Sequence, residues 1–155
     1  MTTAVESAVK ILPVSFAAIL DAPNSADLLR AYAEECSVSG AEPQREIYSA
    51  MENAGALHCF ASYVDDLLIG FCTVLTAQMP HTGDRLATVE SIFVDPTYRH
   101  SGAGDILLTA AEQFAREAGC SNLACLARLG SAFDVVLSRR ACYHATHTQH
   151  TRRLK

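Results

Sequence analysis

The spacing of apolar side chains changes period several times along the chain, and each change predicts an element. ILPVSFAAIL, over 11–20, is apolar nearly throughout and is interrupted only by Pro13 and Ser15, so it reads as a first strand. In NSADLLRAYAEEC (24–36) a polar cap at Asn24 or Ser25 precedes Leu28, Leu29, Tyr32 and Cys36 at helical spacing, which predicts a helix. PQREIYSAMENAG (43–55) puts Pro43 in a first turn, Ile47, Tyr48 and Met51 on one face and Gly55 just past the end, a second helix.

LHCFASYV (57–64) and LLIGFCTVLTAQM (67–79), joined by Asp65-Asp66, then read as the two strands of a hairpin, with Gly70 a candidate bulge. A polar loop carrying His81, Gly83 and Asp84 leads to a further strand, LATVESIFV (86–94), closed by Asp95-Pro96, and the three strands together suggest an antiparallel meander. From Ser101 the pattern is helical again, because Ile106, Leu107, Ala110, Ala111 and Phe114 form one apolar stripe and Gly119 is placed to end it. NLACLA (122–127) is a strand; SAFDVVLSRRA (131–141) starts with Ser131 and Asp134 at capping-box spacing and predicts a helix; CYHATHTQHTRRL (142–154) alternates as a last strand. The order β, α, α, β, β, β, α, β, α, β shows no repeat or linker. It implies one α/β domain over residues 1–155, a sandwich built around a mixed, mainly antiparallel sheet.

Composition adds exclusions. A chain of 155 residues with half its positions apolar and 19% charged can bury one core without metal or disulfides, and neither disorder nor a fibrous architecture fits. The formal charge of −5, from 12 basic and 17 acidic side chains, gives no general attraction for nucleic acid or anionic lipid and suits a small cationic substrate better. Arg139, Arg140, Arg152, Arg153 and Lys155 gather near the end and read as a solvated tail. The six cysteines, Cys36, Cys59, Cys72, Cys120, Cys125 and Cys142, form no CxxC pair and read as free thiols in a reducing compartment. No apolar run approaches the roughly 18 residues of a membrane span. The run at 11–20, preceded by Glu6 and Lys10, does not read as a signal peptide, so a cytoplasmic location and no membrane partner are expected.

Candidate chemistry begins at SIFVDPTYRHSGAGDILLTAAEQF (91–114), where a strand runs through Arg99-His100-Ser101-Gly102-Ala103-Gly104 into a helix. The first amides of a helix lack internal partners and carry the positive end of its dipole, and glycines let an anion approach the backbone. A dinucleotide fingerprint needs a third glycine where Leu107 stands, and a P-loop needs a Gly-Lys-Ser/Thr ending that is absent.

These residues resemble the signature Arg/Gln-x-x-Gly-x-Gly/Ala of the GCN5-related N-acetyltransferases, preceded here by ESIFVDPTY, which also matches the family's strand ending in Val-x-Pro. With the order of elements, the resemblance covers most of residues 11–150. It implies a GNAT-type sheet with helices on both faces and acetyl-coenzyme A as cosubstrate. Carried over residue by residue, Ile92, Phe93 and Val94 would hold the pantetheine arm, and Arg99, His100, Ser101, Gly102, Ala103 and Gly104 the pyrophosphate. It also implies direct transfer of the acetyl group to a primary amine of a small molecule or peptide, and homodimers are common among such proteins.

Acetyl transfer needs a deprotonated amine and a stabilised leaving thiolate. Glu90, four residues before Val94 and therefore expected on the same face as Ile92 and Val94, is the candidate base, or else an acid that orients the substrate. The resemblance places Ser131, Ser138, Cys142 and Tyr143 where family members often carry Asn, Tyr, Gly and Phe, so Ser138 stands at the general acid's position. A slipped register makes Tyr143 that acid, and otherwise Tyr143 is a packed aromatic. This departure keeps a rival open, a non-catalytic acyl-coenzyme A binding module. His144, His147 and His150 recur every third residue, alternate between faces of a strand and cannot converge on a metal; no metal site is expected. The acceptor is expected between the two early helices, with Glu34, Glu35, Glu42, Glu46 and Glu52, and the hairpin turn with Asp65 and Asp66.

Overall fold

A computed structural model describes residues 8–36 and 42–154. Glu6 and Lys155 therefore lie outside the described residues. The first apolar run divides, which corrects the expected single strand over 11–20: β1 is Lys10–Val14, and Phe16–Asp21 is a short helix, α1. The physical reason is local. Ser15 takes extended backbone and its Oγ accepts the Ala18 amide at 3.2 Å, a cap that ends the strand and starts the helix. Phe16 and Ile19, one turn apart, are both buried, and Glu52 reaches over to accept the Phe16 amide at 2.7 Å. An apolar run of ten residues hides so short a helical stripe.

There follow α2 (Ser25–Cys36), α3 (Arg45–Asn53), β2 (Leu57–Val64), β3 (Leu67–Gln78) and β4 (Arg85–Val94), close to the predicted spans. A 3-10 turn, Pro96–Ser101, leads into α4 (Ala103–Glu117), then β5 (Asn122–Cys125) and α5 (Ala132–Ser138). Asp95 caps the 3-10 turn by accepting the Thr97 amide at 2.8 Å, with Pro96 at the first position, where a missing N–H costs nothing. Ser131 caps α5 through the Asp134 amide, while the Asp134 carboxylate accepts from Gly130, one residue earlier than a capping box requires.

The expected last strand over 142–154 does not form. Those residues are irregular and exposed apart from half-buried Tyr143, because the alternation there runs between Thr, His and Gln and offers no apolar face to bury.

The sheet order is β1-β2-β3-β4-β5, antiparallel except for the parallel pair β4–β5 joined through α4. One face buries Phe16, Ile19, Leu28, Leu57, Phe71 and Phe93 beneath α1–α3. The other buries Ile69, Val74, Val89, Val94, Leu107 and Leu108 beneath α4, and Leu137 brings α5 to the same side. Each such side chain taken fully out of water contributes about 1.5–3 kcal/mol.

Two irregularities shape the sheet. Ser62 faces Gly70 but Tyr63 faces Leu68, so Ile69 is an extra residue on β3 beside the predicted bulge glycine. A Cβ on Gly70 would stand 2.6 Å from the Phe93 carbonyl oxygen, which only glycine avoids. Thr73 faces Ser91 but Val74 faces Val89, so Glu90 is an extra residue on β4.

Candidate active site

The parallel ladder between β4 and β5 stops at Val89 and Cys125, and beyond it the two strands part. The outer edge of β4 over 90–94 is thus left without a strand partner among the described residues, and α4 begins at its end. A cleft of about 250 Å³ opens there, walled by Ile92, Phe93 and Val94 on the strand, Arg99, Gly102 and Gly104 on the loop, and Phe133 and Val136 of α5. Of the loop residues expected to bind an anion, these three line the cleft; His100 is exposed, Ala103 is fully buried in the core, and Ser101 donates to the Tyr98 carbonyl and accepts the Ala103 amide.

Gly102 adopts φ 81°, a left-handed conformation that ends the 3-10 turn and starts α4, and as the N-cap it offers no side chain. Ser101 takes the Ala103 amide, which leaves the next amides, of Gly104 and Asp105, to meet an anion. A Cβ on Gly104 would meet only the Val94 side chain, at 3.9 Å, so nothing in the fold itself crowds that position and its openness belongs to the cleft. The residues present therefore fit the pyrophosphate and extended arm of coenzyme A.

Charge in the cleft is already partly matched. The Arg99 guanidinium pairs with Glu35 of α2, donates to the Val94 carbonyl at 3.1 Å and lies over the Phe93 ring, 5.5 Å from its centroid. Asp105, an acid in the first turn of α4, pairs with Arg140. Arg140 also approaches Glu112 at 3.8 Å, and the Tyr143 hydroxyl donates to Glu112 at 2.7 Å. This cluster, joined by Arg116 one turn on from Glu112, ties the segment after α5 to α4.

Glu90 is exposed beside the point where the strands part, but not on the face the alternation predicts. The bulge inserts one residue, so Glu90 joins Ser91 on the α1–α3 side, where Thr73 Oγ1 donates to Glu90 Oε2 at 2.8 Å, while Ile92 and Val94 pack toward α4. The Glu90 charge acts on the hydroxyls of Tyr32 and Tyr48 there, and burial pushes Tyr32 up to about 12. Thr73 and Ser91, polar residues inside apolar strands, were the available signal for this network.

Ser138 is exposed, donates to the Val135 carbonyl at 2.9 Å and does not line the cleft. Tyr143 does not line it either; burial and the neighbouring Glu112 hold its hydroxyl well above the usual range. Of the acids expected to receive a cation, Glu52 is committed to α1 and Glu35 to Arg99, and Asp65 and Asp66 form the β2–β3 turn with φ 46° and 64°.

Residues 25–131 match the model of the acetyltransferase (GNAT) family. The chain belongs to this family of N-acetyltransferases, which use acetyl-coenzyme A. Its fold is similar to that of an aminoglycoside acetyltransferase from an uncultured soil metagenomic sample, in complex with sisomicin, at 21% identity and TM-score 0.74 over 95% of this chain and 97% of that one. It is also similar to a ribosomal-protein-alanine N-acetyltransferase from Brucella melitensis, at 24% identity and TM-score 0.73 over 96% and 100%. The aminoglycoside enzyme AAC(6')-Iy, bound to a bisubstrate analogue, matches at 17% identity and TM-score 0.71 over 96% and 99%. No curated protein matches at the sequence level. Among the described residues no helix is long and apolar enough to cross a membrane.

Proposed function

We propose that this acetyltransferase carries the acetyl group of acetyl-coenzyme A directly to a primary amine, with Glu90 as the base. The observation that supports it is one of position: the cleft at the β4–β5 parting, with its uncapped helix and open Gly104, lies beside the single bulge that turns a carboxylate away from it. The amides of α4 and Arg99 receive the pyrophosphate, and the free edge of β4 at Ile92, Phe93 and Val94 pairs with the pantetheine arm. Glu90, on the α1–α3 side, removes a proton from the ammonium, and the neutral amine attacks the acetyl carbonyl from that side. Glu34 and Glu46 on the helices there, and Glu42 just before α3, are exposed, so a cationic small molecule or a peptide amine is the acceptor class.

Neither Ser138 nor Tyr143 lines the cleft, and this favours a second reading, an acyl-coenzyme A binding module without turnover. Calorimetric titration of acetyl-coenzyme A and thiol release over polyamines, aminoglycosides and peptides separate the two. Release above the acceptor-free background excludes a purely binding role. Gly104→Asp places a carboxylate in the open position and abolishes cofactor binding without unfolding the protein; normal affinity in that variant refutes the assignment of the loop. Glu90→Gln with full turnover across pH means that Glu90 is not the base.

A further inference from the structure

Glu90 does not stand alone. Thr73 Oγ1 lies 2.8 Å from Glu90 Oε2 and 2.5 Å from Ser91 Oγ, and it also accepts the Ser91 amide at 3.2 Å. An ionised carboxylate can only accept, so the one proton of Thr73 must point at Glu90. Thr73 then has only lone pairs left for Ser91, and the Ser91 hydroxyl must donate to it. The directions are fixed by counting protons: Ser91 to Thr73 to Glu90.

We propose that Ser91 and Thr73 form a one-way hydrogen-bond chain that grips the Glu90 carboxylate by Oε2 and reserves Oε1 for the proton of the acceptor amine. The proposal rests on the reading of Glu90 as base, and it makes Thr73 a positioning residue. Thr73 is fully buried and Ser91 nearly so, so the chain is anchored in the sheet while its acid end is exposed. Oε1 has no hydrogen-bond partner among the described residues. The step it serves balances simply: the ammonium N–H bond breaks, an Oε1–H bond forms, the electron pair stays on nitrogen, and the neutral Glu90 later returns the proton to water. No hydroxyl in the chain changes its proton.

The titratable groups that face Glu90 are Tyr32 from α2, Tyr48 from α3, Cys59 from β2 and Cys72 from β3. Burial holds all four neutral through the physiological range, so none of them changes charge beside the carboxylate there.

The chain is tested without knowledge of the acceptor. The protein is labelled with carboxyl-13C glutamate, the Glu90 signal is assigned by its loss in Glu90→Gln, and its titration midpoint is followed in Thr73→Val and Thr73→Ser. Removing a donor to a carboxylate disfavours the anion, so the midpoint in Thr73→Val is expected above that of the unaltered protein. Thr73→Ser restores it. Thr73→Val is nearly isosteric, and Ser91→Ala provides the same readout should valine disturb the fold. A midpoint unchanged in the folded Thr73→Val and Ser91→Ala variants overturns the chain. Thiol release by Glu90→Gln separates the two claims: loss of turnover with an unchanged midpoint leaves the base standing and removes the chain, whereas full turnover removes the base and the chain's role with it.

Discussion

Gly70→Ala is the most demanding check on the sheet that carries the cleft. The added Cβ would lie 2.6 Å from the Phe93 carbonyl oxygen, 2.8 Å from Ser62 Oγ and 3.1 Å from the Val94 Cα. Two of those three neighbours are backbone of β4 and cannot rotate away, and Ser62 is fully buried with no hydrogen-bond partner for its hydroxyl among the described residues. The strand must therefore move outward at 93–94. Overpacking of this kind costs about 1–3 kcal/mol. Loss of one or two ladder hydrogen bonds adds about 1–2 kcal/mol, and the lower chain entropy of alanine returns roughly 0.5 kcal/mol. The net is about 3 kcal/mol, which in a chain of this size lowers Tm by roughly 10 °C. Because Phe93 and Val94 are walls of the cleft, the affinity for acetyl-coenzyme A falls as well. Thermal unfolding by circular dichroism and calorimetric titration measure both effects. Gly104→Ala is the control: its Cβ meets only Val94 at 3.9 Å, so Tm holds while cofactor affinity drops. A Gly70→Ala protein with wild-type Tm and wild-type affinity would show that β4 is not pinned against β3 at this bulge.

Glu35→Gln is expected to tighten acetyl-coenzyme A binding by roughly threefold, since the pyrophosphate competes with Glu35 for Arg99 and a half-exposed ion pair of this kind is worth about 0.5–1 kcal/mol. Calorimetry at two salt concentrations checks it, the advantage shrinking at the higher one, and an unchanged or weaker affinity refutes the competition. Alkaline pH should destabilise the fold: burial, aided by the nearby Glu52 carboxylate, pushes the Cys59 thiol up to about 12 from its usual 9.0, and burial takes Tyr32 up to about 12 from 10.0. The native state keeps protons that the unfolded chain releases, so stability is intact below about pH 9 and falls as pH rises toward 12. Cys59 alone removes about 2 kcal/mol by pH 10.5. Urea midpoints at pH 8 and pH 10.5 measure the fall, and Cys59→Ala should make it shallower; equal midpoints in the unaltered protein refute it.

The parts of the molecule legible in the sequence are those in which one physical signal dominates. β2, β3 and β4 were visible because β-branched and aromatic residues run between turn residues, and the loop 99–104 because two glycines stand between a strand and an apolar helical stripe. What was misread has a common cause. α1 is six residues long, too short for its period to emerge from an apolar run, and what starts it is Ser15 together with a carboxylate 36 residues away in Glu52. The tail alternates, but between polar residues, and alternation without an apolar face carries no driving force. Glu90 was assigned to the wrong face, because period-2 reasoning fails at the first inserted residue.

That last error also bears on the proposed chemistry. A regular β4 would present Glu90 beside Ile92 and Val94, on the face that α4 packs against, and a charge there would face the core unpaired. The bulge moves it to the α1–α3 side, where Thr73 and Ser91 form a polar island amid buried phenylalanines, and leaves the outer edge of 90–94 facing the cleft. The proposed cofactor edge and the carboxylate are thereby set on different sides of one short stretch of backbone. The second bulge, at Gly70, stands opposite the far end of the same stretch, pairing with Val94. Residues 91–94 keep regular register with β3, so the one inserted residue, Glu90, is enough to put the proposed base and the proposed cofactor edge on different sides of the strand.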